Sequence, residues 1–335
     1  MSHLLELNNL SVQFTTAAGT VQAVRGVNLT LHEGEILAVV GESGCGKSVL
    51  CKSIMKLLPS NAKIAGKILI DGVDITRYTQ KQMCKLRGQI FSMIFQDPLT
   101  ALNPTISIGK QIAEAVRVHN KALSGSALRS RVIELMELTG ITQAATRYDL
   151  YPHHFSGGMR QRSVLAMALA CNPHILFADE PTTALDVTIQ AQILDLLIEL
   201  QKKLHTATVF VTHDLGVVAR VADRVAVMYA GKVVEIGTVE EIFYDPRHPY
   251  TWGLLQALPA YAKGRRQLRA IAGTPPSLIH PPKGDAFAVR NEYALAIDYV
   301  EEPPMFQVSD THYAATWLLD PRAPEIVSPI GRKLS

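Results

Sequence analysis

Gly41-Glu42-Ser43-Gly44-Cys45-Gly46-Lys47-Ser48 sets glycine, lysine and serine at the spacing GxxxxGK[ST] of a phosphate-binding loop. Glycines let backbone N–H groups converge on phosphate oxygens, and the positive end of a following helix adds to the field. In that arrangement Lys47 reaches the β- and γ-phosphates, the Ser48 hydroxyl ligates Mg²⁺, and Val49 carries the loop into the helix. Further along, the apolar run Ile175-Leu176-Phe177-Ala178 ends in Asp179-Glu180. A buried strand here sets both carboxylates at its C-terminal end, where open α/β sheets bind ligands. Asp179 then holds Mg²⁺, and Glu180 orients and deprotonates an attacking water. Without the loop upstream, the same pair reads as an ordinary exposed strand end.

Phe155-Ser156-Gly157-Gly158-Met159-Arg160-Gln161-Arg162 opens a second helix on Ser-Gly-Gly, which is a second anion-binding N-terminus. One chain with one phosphate loop has little use for two cradles on the same nucleotide. The simple resolution is that this one serves a nucleotide held by another subunit.

With these elements in order, residues 5–240 resemble the nucleotide-binding subunits of ATP-binding-cassette transporters. The resemblance implies that Ser156, Gly157, Gly158 and Met159 close on ATP bound by a partner subunit. It implies a Q-loop role for Gln96, ligating Mg²⁺ and contacting membrane subunits. Ala184-Leu185-Asp186 looks like the D-loop, His213 like the switch histidine at the γ-phosphate, and Phe14 like the aromatic stacked on adenine. The fold implied is α/β, a P-loop NTPase cassette with a RecA-like core, an antiparallel β subdomain and a helical signature subdomain over about 97–171. The segment after Gln96, with Leu99 and Leu102, is expected to dock on membrane subunits.

Gln96-Asp-Pro-Leu-Thr-Ala-Leu-Asn-Pro104, Tyr229-Ala-Gly231, Pro246-Arg-His-Pro-Tyr-Thr-Trp252 and Gly273-Thr-Pro-Pro-Ser-Leu278 are similar to the oligopeptide and dipeptide importers of that family. Many of those carry four extension cysteines that hold an iron–sulfur cluster. Here the matching places carry Asp285, Asn291 and Thr316, and no cysteine follows Cys171, so no iron–sulfur cluster is expected. This cysteine-free form is similar to the oligopeptide-importer ATPases of Gram-positive bacteria. The resemblance then implies ATP and Mg²⁺ as ligands, a second and different ATPase as partner, two transmembrane permease subunits and an extracellular peptide-binding protein. It places the chain peripherally on the cytoplasmic face of the membrane. Dipeptides, nickel or another small solute remain alternatives to oligopeptides.

The elements that must position these residues are legible from periodicity. Leu4 to Phe14 and Val21 to Leu31 read as strands, and Glu35 to Val40 as a buried strand running into the loop. Lys47 to Leu58 has helical spacing, and Lys63 to Ile75 reads as a hairpin around Asp71-Gly72. Ile90 to Phe95 is a strand. Helical patterns follow over Ile106 to His119, Ser126 to Thr139 and Gly157 to Ala170. His174 to Ala178 and Thr208 to Val211 are buried strands around a helix over Val187 to Leu204. A hairpin, Arg224 to Tyr229 and Lys232 to Ile236, turns at Ala230-Gly231. Beyond about residue 245 prolines crowd the chain. The domains are therefore read as an ATPase domain over 1–245 and a loop-rich extension over 246–335.

The composition agrees. A chain of 335 residues with 47% hydrophobic and 19% charged residues is globular and long enough to bury its own core. A net charge of +3, with basic and acidic residues interspersed, gives no nucleic-acid groove. Four cysteines without CxxC spacing read as reduced thiols in a cytosolic compartment. The start Met-Ser-His-Leu-Leu-Glu lacks a signal-peptide core. The longest apolar run, Val164 to Cys171, is far short of the ~20 residues that span a bilayer. Cassette ATPases of DNA repair or translation usually carry a coiled-coil insertion or two cassettes, and exporter halves carry membrane helices or lack this extension. A regulatory module that binds ATP without hydrolysis would not need Glu180, His213 and Ser156-Gly-Gly together.

Overall fold

In His3–Thr16 the buried side chains are Leu4, Leu5 and Leu7, then Leu10 and Val12, so the alternation that starts at Leu5 slips from odd to even positions. The slip is a bulge in the pairing with Ala62–Ile70 between Asn8 and Ser11, and Asn9 there has φ 51°. The bulge keeps one face apolar through a strand longer than a strict period of two would allow. The computed structural model describes residues 3–183, 185–261 and 271–330. It divides into two compact units, one of Met1–Leu31, Ile36–Arg77 and Thr212–Ser335, the other of His32–Glu35 and Tyr78–Val211.

The first unit has two sheets. One is antiparallel, with Gly19–His32, His3–Thr16, Ala62–Ile70 and Val73–Asp74 side by side. Its turn at Asp71 and Gly72 has φ 48° and 74°, the positive pair that a tight hairpin with the right twist requires. In the other sheet, Ile36–Val40 lies parallel to Arg224–Tyr229, which pairs antiparallel with Lys232–Thr238. Ile36–Val40 is buried at every position, as a strand covered on both faces must be.

The chain beyond residue 245 is part of this unit. Tyr313–Ala314 pairs with Glu235 and Ile236 of Lys232–Thr238, and Phe306–Gln307 pairs with Tyr313–Ala314 in turn. The helix Pro249–Gln256 delivers Tyr250, Trp252 and Leu255 into one apolar cluster with Ala38, Val40, Tyr229 and Phe287. The loop-rich extension that proline crowding signals has large apolar residues that share the core of the phosphate-loop strand. A buried polar knot ties the two together. Glu235, fully buried, accepts from His312 Nε2 at 2.8 Å and from the backbone N–H groups of Arg247 and His248. Burial pushes His248 down to about 3, so it sits there as a neutral imidazole whose Nδ1 accepts from the Tyr250 N–H.

The second unit carries three parallel strands in the order Phe91–Ile94, Ile175–Asp179, Ala207–Thr212. Its helices include Ile108–His119, Gly125–Leu138, Gly157–Ala168 and Val187–Leu204. It also has Gln80–Leu86, absent from the periodicity reading. Too short for a period, that helix was signalled by its capping box, in which Thr79 and Gln82 satisfy each other's backbone N–H. Among the described residues no helix is long and apolar enough to cross a membrane.

Glu235→Ala takes the acceptor from three donors, the buried His312 ring and His248 N–H and the part-buried Arg247 N–H. At about 1–3 kcal/mol for each orphaned group, the variant is expected to lose at least about 3 kcal/mol in urea unfolding of the whole chain. A midpoint within error of wild type would show that the knot contributes nothing.

Candidate functional site

The phosphate loop is shaped by backbone contact. Gly41 has φ 152°, and a Cβ built on it would run into the Met228 carbonyl; Gly46 has φ 107°, and its Cβ would run into the Ala23 carbonyl. Only glycine tolerates both conditions. The loop then turns into the helix Lys47–Ile54, whose N-cap, Gly46, offers no side chain to the first-turn N–H groups. That helix start is therefore open to an anion. It ends earlier than the expected Leu58, because Lys56 takes φ 52°. Lys47 is 6% exposed and donates Nζ to the carbonyls of Gly41 at 2.7 Å and Glu42 at 3.0 Å. Its ammonium is thus held over the loop interior. Cys45 is buried beside it with Sγ 3.8 Å from that Nζ, and burial pushes its thiol up even though Lys47 opposes the shift. A thiol raised this way is largely protonated at neutral pH, which argues against sensitivity to thiol reagents.

The same unit presents His213 and Phe14. His213 is exposed at the end of Ala207–Thr212. The turn that displays it is fixed on both sides: the Thr212 hydroxyl accepts from the Asp214 N–H at 3.0 Å, and Asp214 caps Leu215–Val221 by accepting from the Gly216 N–H at 2.8 Å. Phe14 is half-buried on His3–Thr16, opposite Ala62.

In the second unit, Asp179 is 3% exposed at the end of Ile175–Asp179 and Glu180 follows it. Glu180 has φ 47°, a region that costs a non-glycine residue about 1–3 kcal/mol and persists where the surroundings impose it. Its N–H donates to Val211 O at 2.9 Å, and its Oε2 accepts from Gln96 Nε2 at 3.1 Å and from the Thr183 hydroxyl at 3.0 Å. The structure thus brings Gln96 and Glu180 together. Leu102 is 4% exposed, so its side chain packs within its own chain rather than standing out for docking as expected.

Ser156 is the exposed N-cap of Gly157–Ala168, its hydroxyl accepting from the Met159 N–H at 3.3 Å. Gly157 is exposed, whereas Gly158 is buried, where a Cβ would meet Ile189 Cγ2 at 2.7 Å. Asp186 caps Val187–Leu204, accepting from the Ile189 N–H at 3.0 Å, so the expected D-loop aspartate holds the helix that packs on Gly158. Ala184 lies outside the described residues.

The sequence reading passed over Arg290, Tyr250 and Tyr229 as site residues. Arg290 pairs with both carboxylate oxygens of Glu42, in the phosphate loop, and the Tyr250 hydroxyl accepts from the Glu42 N–H at 2.8 Å. Nothing local to Pro249-Tyr250-Thr-Trp252 or Val289-Arg290-Asn291 points to the loop, and the places where the resemblance would put cysteines lie nearby. At those positions oxygens make local turns: Asp285 accepts from the Phe287 N–H at 2.9 Å, Asn291 from the Tyr293 N–H at 2.9 Å, and Thr316 from the Leu318 N–H at 3.3 Å.

Two family descriptions match this chain: ABC transporter over residues 24–183, and oligopeptide/dipeptide transporter, C-terminal region, over residues 234–297. The chain belongs to the ABC transporter family, among its ATP-binding cassettes. It is 58% identical to the oligopeptide transport ATP-binding protein OppD of Bacillus subtilis, over 98% of this chain and 92% of that one. It is 56% identical to the dipeptide transport ATP-binding protein DppD of Lactococcus lactis, over 96% and 93%. A solved dimer of the ATP-binding cassette MJ0796 in a post-hydrolysis state, bound to ADP and Pi, is 29% identical, with a TM-score of 0.63 over 70% of this chain and 98% of that one. A Clostridium perfringens cassette, cbiO1, part of the transporter complex cbiONQ, is 32% identical with the same TM-score of 0.63, over 73% and 92%. The P-loop cassette fold expected from the motifs is borne out.

Asp285 gives a pH test of the extension. Burial pushes its carboxyl up to about 6, with Asp298 and Glu302 adding to the shift and the Phe287 N–H and Lys232 opposing it. The folded protein therefore holds this proton more tightly than the unfolded chain does, and the group's stability contribution falls as pH rises from about 4 to 6. Asp285→Asn keeps the turn acceptor without the charge. It is expected to be more stable than wild type at pH 7, by on the order of 2 kcal/mol, and to lose that advantage near pH 4. Urea midpoints of both proteins at the two pH values check this; an advantage independent of pH would refute it.

Proposed function

We propose that this chain is the ATP-binding and ATP-hydrolysing subunit that powers import of oligopeptides through a membrane ABC transporter. One observation carries the reading. A single chain holds a phosphate loop with an uncapped helix start and also a second helix start, at Ser156-Gly157, exposed to take a ligand from outside its own unit. Such a pair fits a motor in which each ATPase completes its partner's site. The carrier-specific part of the reading is supported by the match of residues 234–297 to the oligopeptide/dipeptide C-terminal region and by relatives named for oligopeptide transport. The relative named for dipeptide transport makes dipeptides the second reading.

The resemblance to cassette ATPases supports the following roles. The loop N–H groups and Lys47 take the phosphates; Gly41, Glu42, Ser43, Gly44, Cys45, Gly46 and Val49 form the cradle, and Phe14 packs on the adenine. Mg²⁺ suits hard oxygen donors, and the Ser48 hydroxyl, the Asp179 carboxylate and the Gln96 amide oxygen are of that kind. When bound, the ion neutralises charge on the β- and γ-phosphates. Glu180, held by Gln96 and Thr183, takes the proton of the attacking water, and His213 contacts the γ-phosphate. Ser156, Gly157, Gly158 and Met159 act on the ATP of a second, different ATPase, with Asp186 supporting them. Residues 1–245 form the ATPase domain and 246–335 the transporter-type extension. Two permease subunits and an extracellular peptide-binding protein complete the assembly, with this chain on the cytoplasmic face of the membrane.

Glu180→Gln in the assembled transporter is expected to bind MgATP and to hydrolyse it about 10²–10⁴-fold more slowly, the range for loss of a positioned base. Turnover within threefold of wild type removes Glu180 from the chemistry. Ser156→Arg is expected to keep this chain's own nucleotide binding while stopping hydrolysis at the partner's loop; equal loss of binding at both sites would contradict the composite arrangement.

A further inference from the structure

Arg290 lies in the extension, 248 residues from the phosphate loop in sequence, yet its side chain, 4% exposed, grips that loop. Nη1 donates to Glu42 Oε2 at 2.6 Å and Nη2 to Glu42 Oε1 at 2.8 Å, a two-pronged, charge-assisted pairing. The remaining donors are also placed: Nε donates to Ala272 O at 2.8 Å and Nη1 to the Tyr229 hydroxyl at 3.2 Å. The plane is packed as well, 5.7 Å from the Tyr229 ring centre and 5.9 Å from that of Phe287. Phe287 in turn packs edge-on to Tyr229 and Tyr250, with centres 5.3 Å away in both cases. Tyr250 takes the Glu42 N–H, so the side chain and the backbone of one loop residue are both held by the extension. Beside this clasp a cavity of about 150 Å³ is walled by Glu42 and Cys45 of the loop, by Tyr229, and by Pro275, Pro276 and Leu278 of the extension.

Glu42 is a problem for a loop that binds a polyanion. Its carboxylate has the same sign as the phosphates and sits one residue after Gly41. Unpaired, it would repel the ligand and be free to fold over the cradle. Paired, it is neutralised and turned toward the extension.

We propose that Arg290 is a positioning residue of the nucleotide site: by pairing with Glu42 it cancels a charge hostile to phosphate and fixes the entrance of the loop, which makes the extension a working part of the ATPase. Movement of the extension on assembly with partner subunits would then be felt directly as a change in nucleotide affinity. The inference rests on the proposed ATPase function and deepens it.

The test is nucleotide binding and hydrolysis by the purified transporter complex, with ATP and ADP, at low and high salt. Arg290→Ala is expected to weaken ATP binding about tenfold or more. ADP, with less charge, should lose less, and salt should narrow the gap. Adding Glu42→Gln to Arg290→Ala removes the exposed carboxylate and should restore most of the lost affinity. A double variant as weak as Arg290→Ala shows that Arg290 serves only packing and overturns the proposal. So does an Arg290→Ala protein within twofold of wild type. Should the alanine variant not fold, Arg290→Lys and Arg290→Gln decide: retention with Lys and loss with Gln supports the pairing, and equal behaviour refutes it. Wild-type complex that binds no nucleotide would instead overturn the proposed function itself.

Discussion

A phosphate loop must leave its amides unpaired yet hold them still, and here close approach of backbones does the holding. Gly41 lies under the Met228 carbonyl and Gly46 under the Ala23 carbonyl, with no room for a Cβ at either place. The same turn is laced by backbone hydrogen bonds, the Gly231 N–H to Cys45 O at 3.0 Å and the Arg25 N–H to Gly231 O at 2.8 Å. The loop therefore has no shape of its own. Gly19–His32, Ile36–Val40 and the hairpin at Ala230-Gly231 must be in place before it exists, which is why the core behind it is so densely apolar.

The second unit solves a related problem with side chains. Glu180 sits in a left-handed backbone conformation that the strand alone would not choose. Its N–H bond to Val211 O and its carboxylate bonds from Gln96 and Thr183 offset that cost and fix its direction. Gly158 does for helix packing what Gly41 does for the loop, letting Ile189 approach so that the Ser156 helix and the Asp186 helix lie together. The strained Glu180 backbone and the small Gly158 both lie where fixed geometry is needed.

Much of this was legible. GxxxxGK[ST], the run ending in Asp179-Glu180, and Ser156-Gly157-Gly158 are local patterns whose chemistry depends on spacing within a few residues. Buried strands such as Ile36–Val40 and Ile175–Asp179 announce themselves by unbroken apolarity, and Gly157–Ala168 begins where its cap predicts. What could not be read was pairing between distant residues. Nothing near Arg290 points to Glu42, and nothing near His312 points to Glu235, because such contacts depend on the tertiary path of the chain. Proline density beyond 245 marks a loop-rich extension, but not that Tyr250, Trp252 and Phe287 enter the loop-strand core. The bulge at Asn9 was likewise hidden, since two half-strands of opposite phase look like one long strand.

The extension also shows how a segment without metal ligands from cysteine can still aim a side chain. At the places where the resemblance would put cysteines, other residues stand. Asp285, Asn291 and Thr316 instead bond to the N–H two residues on, so each closes its own turn. The first two bracket the short helical turn Ala288–Arg290. With Phe287 anchored between Tyr229 and Tyr250, the turn has one way to face, and Arg290 faces the phosphate loop. A burial cost comes with this, seen in the raised Asp285 carboxyl. A carboxylate this poorly solvated persists because its turn places Phe287, and Phe287 places Arg290. The chain of dependence therefore runs from a local turn through an aromatic contact to the charge balance of the loop.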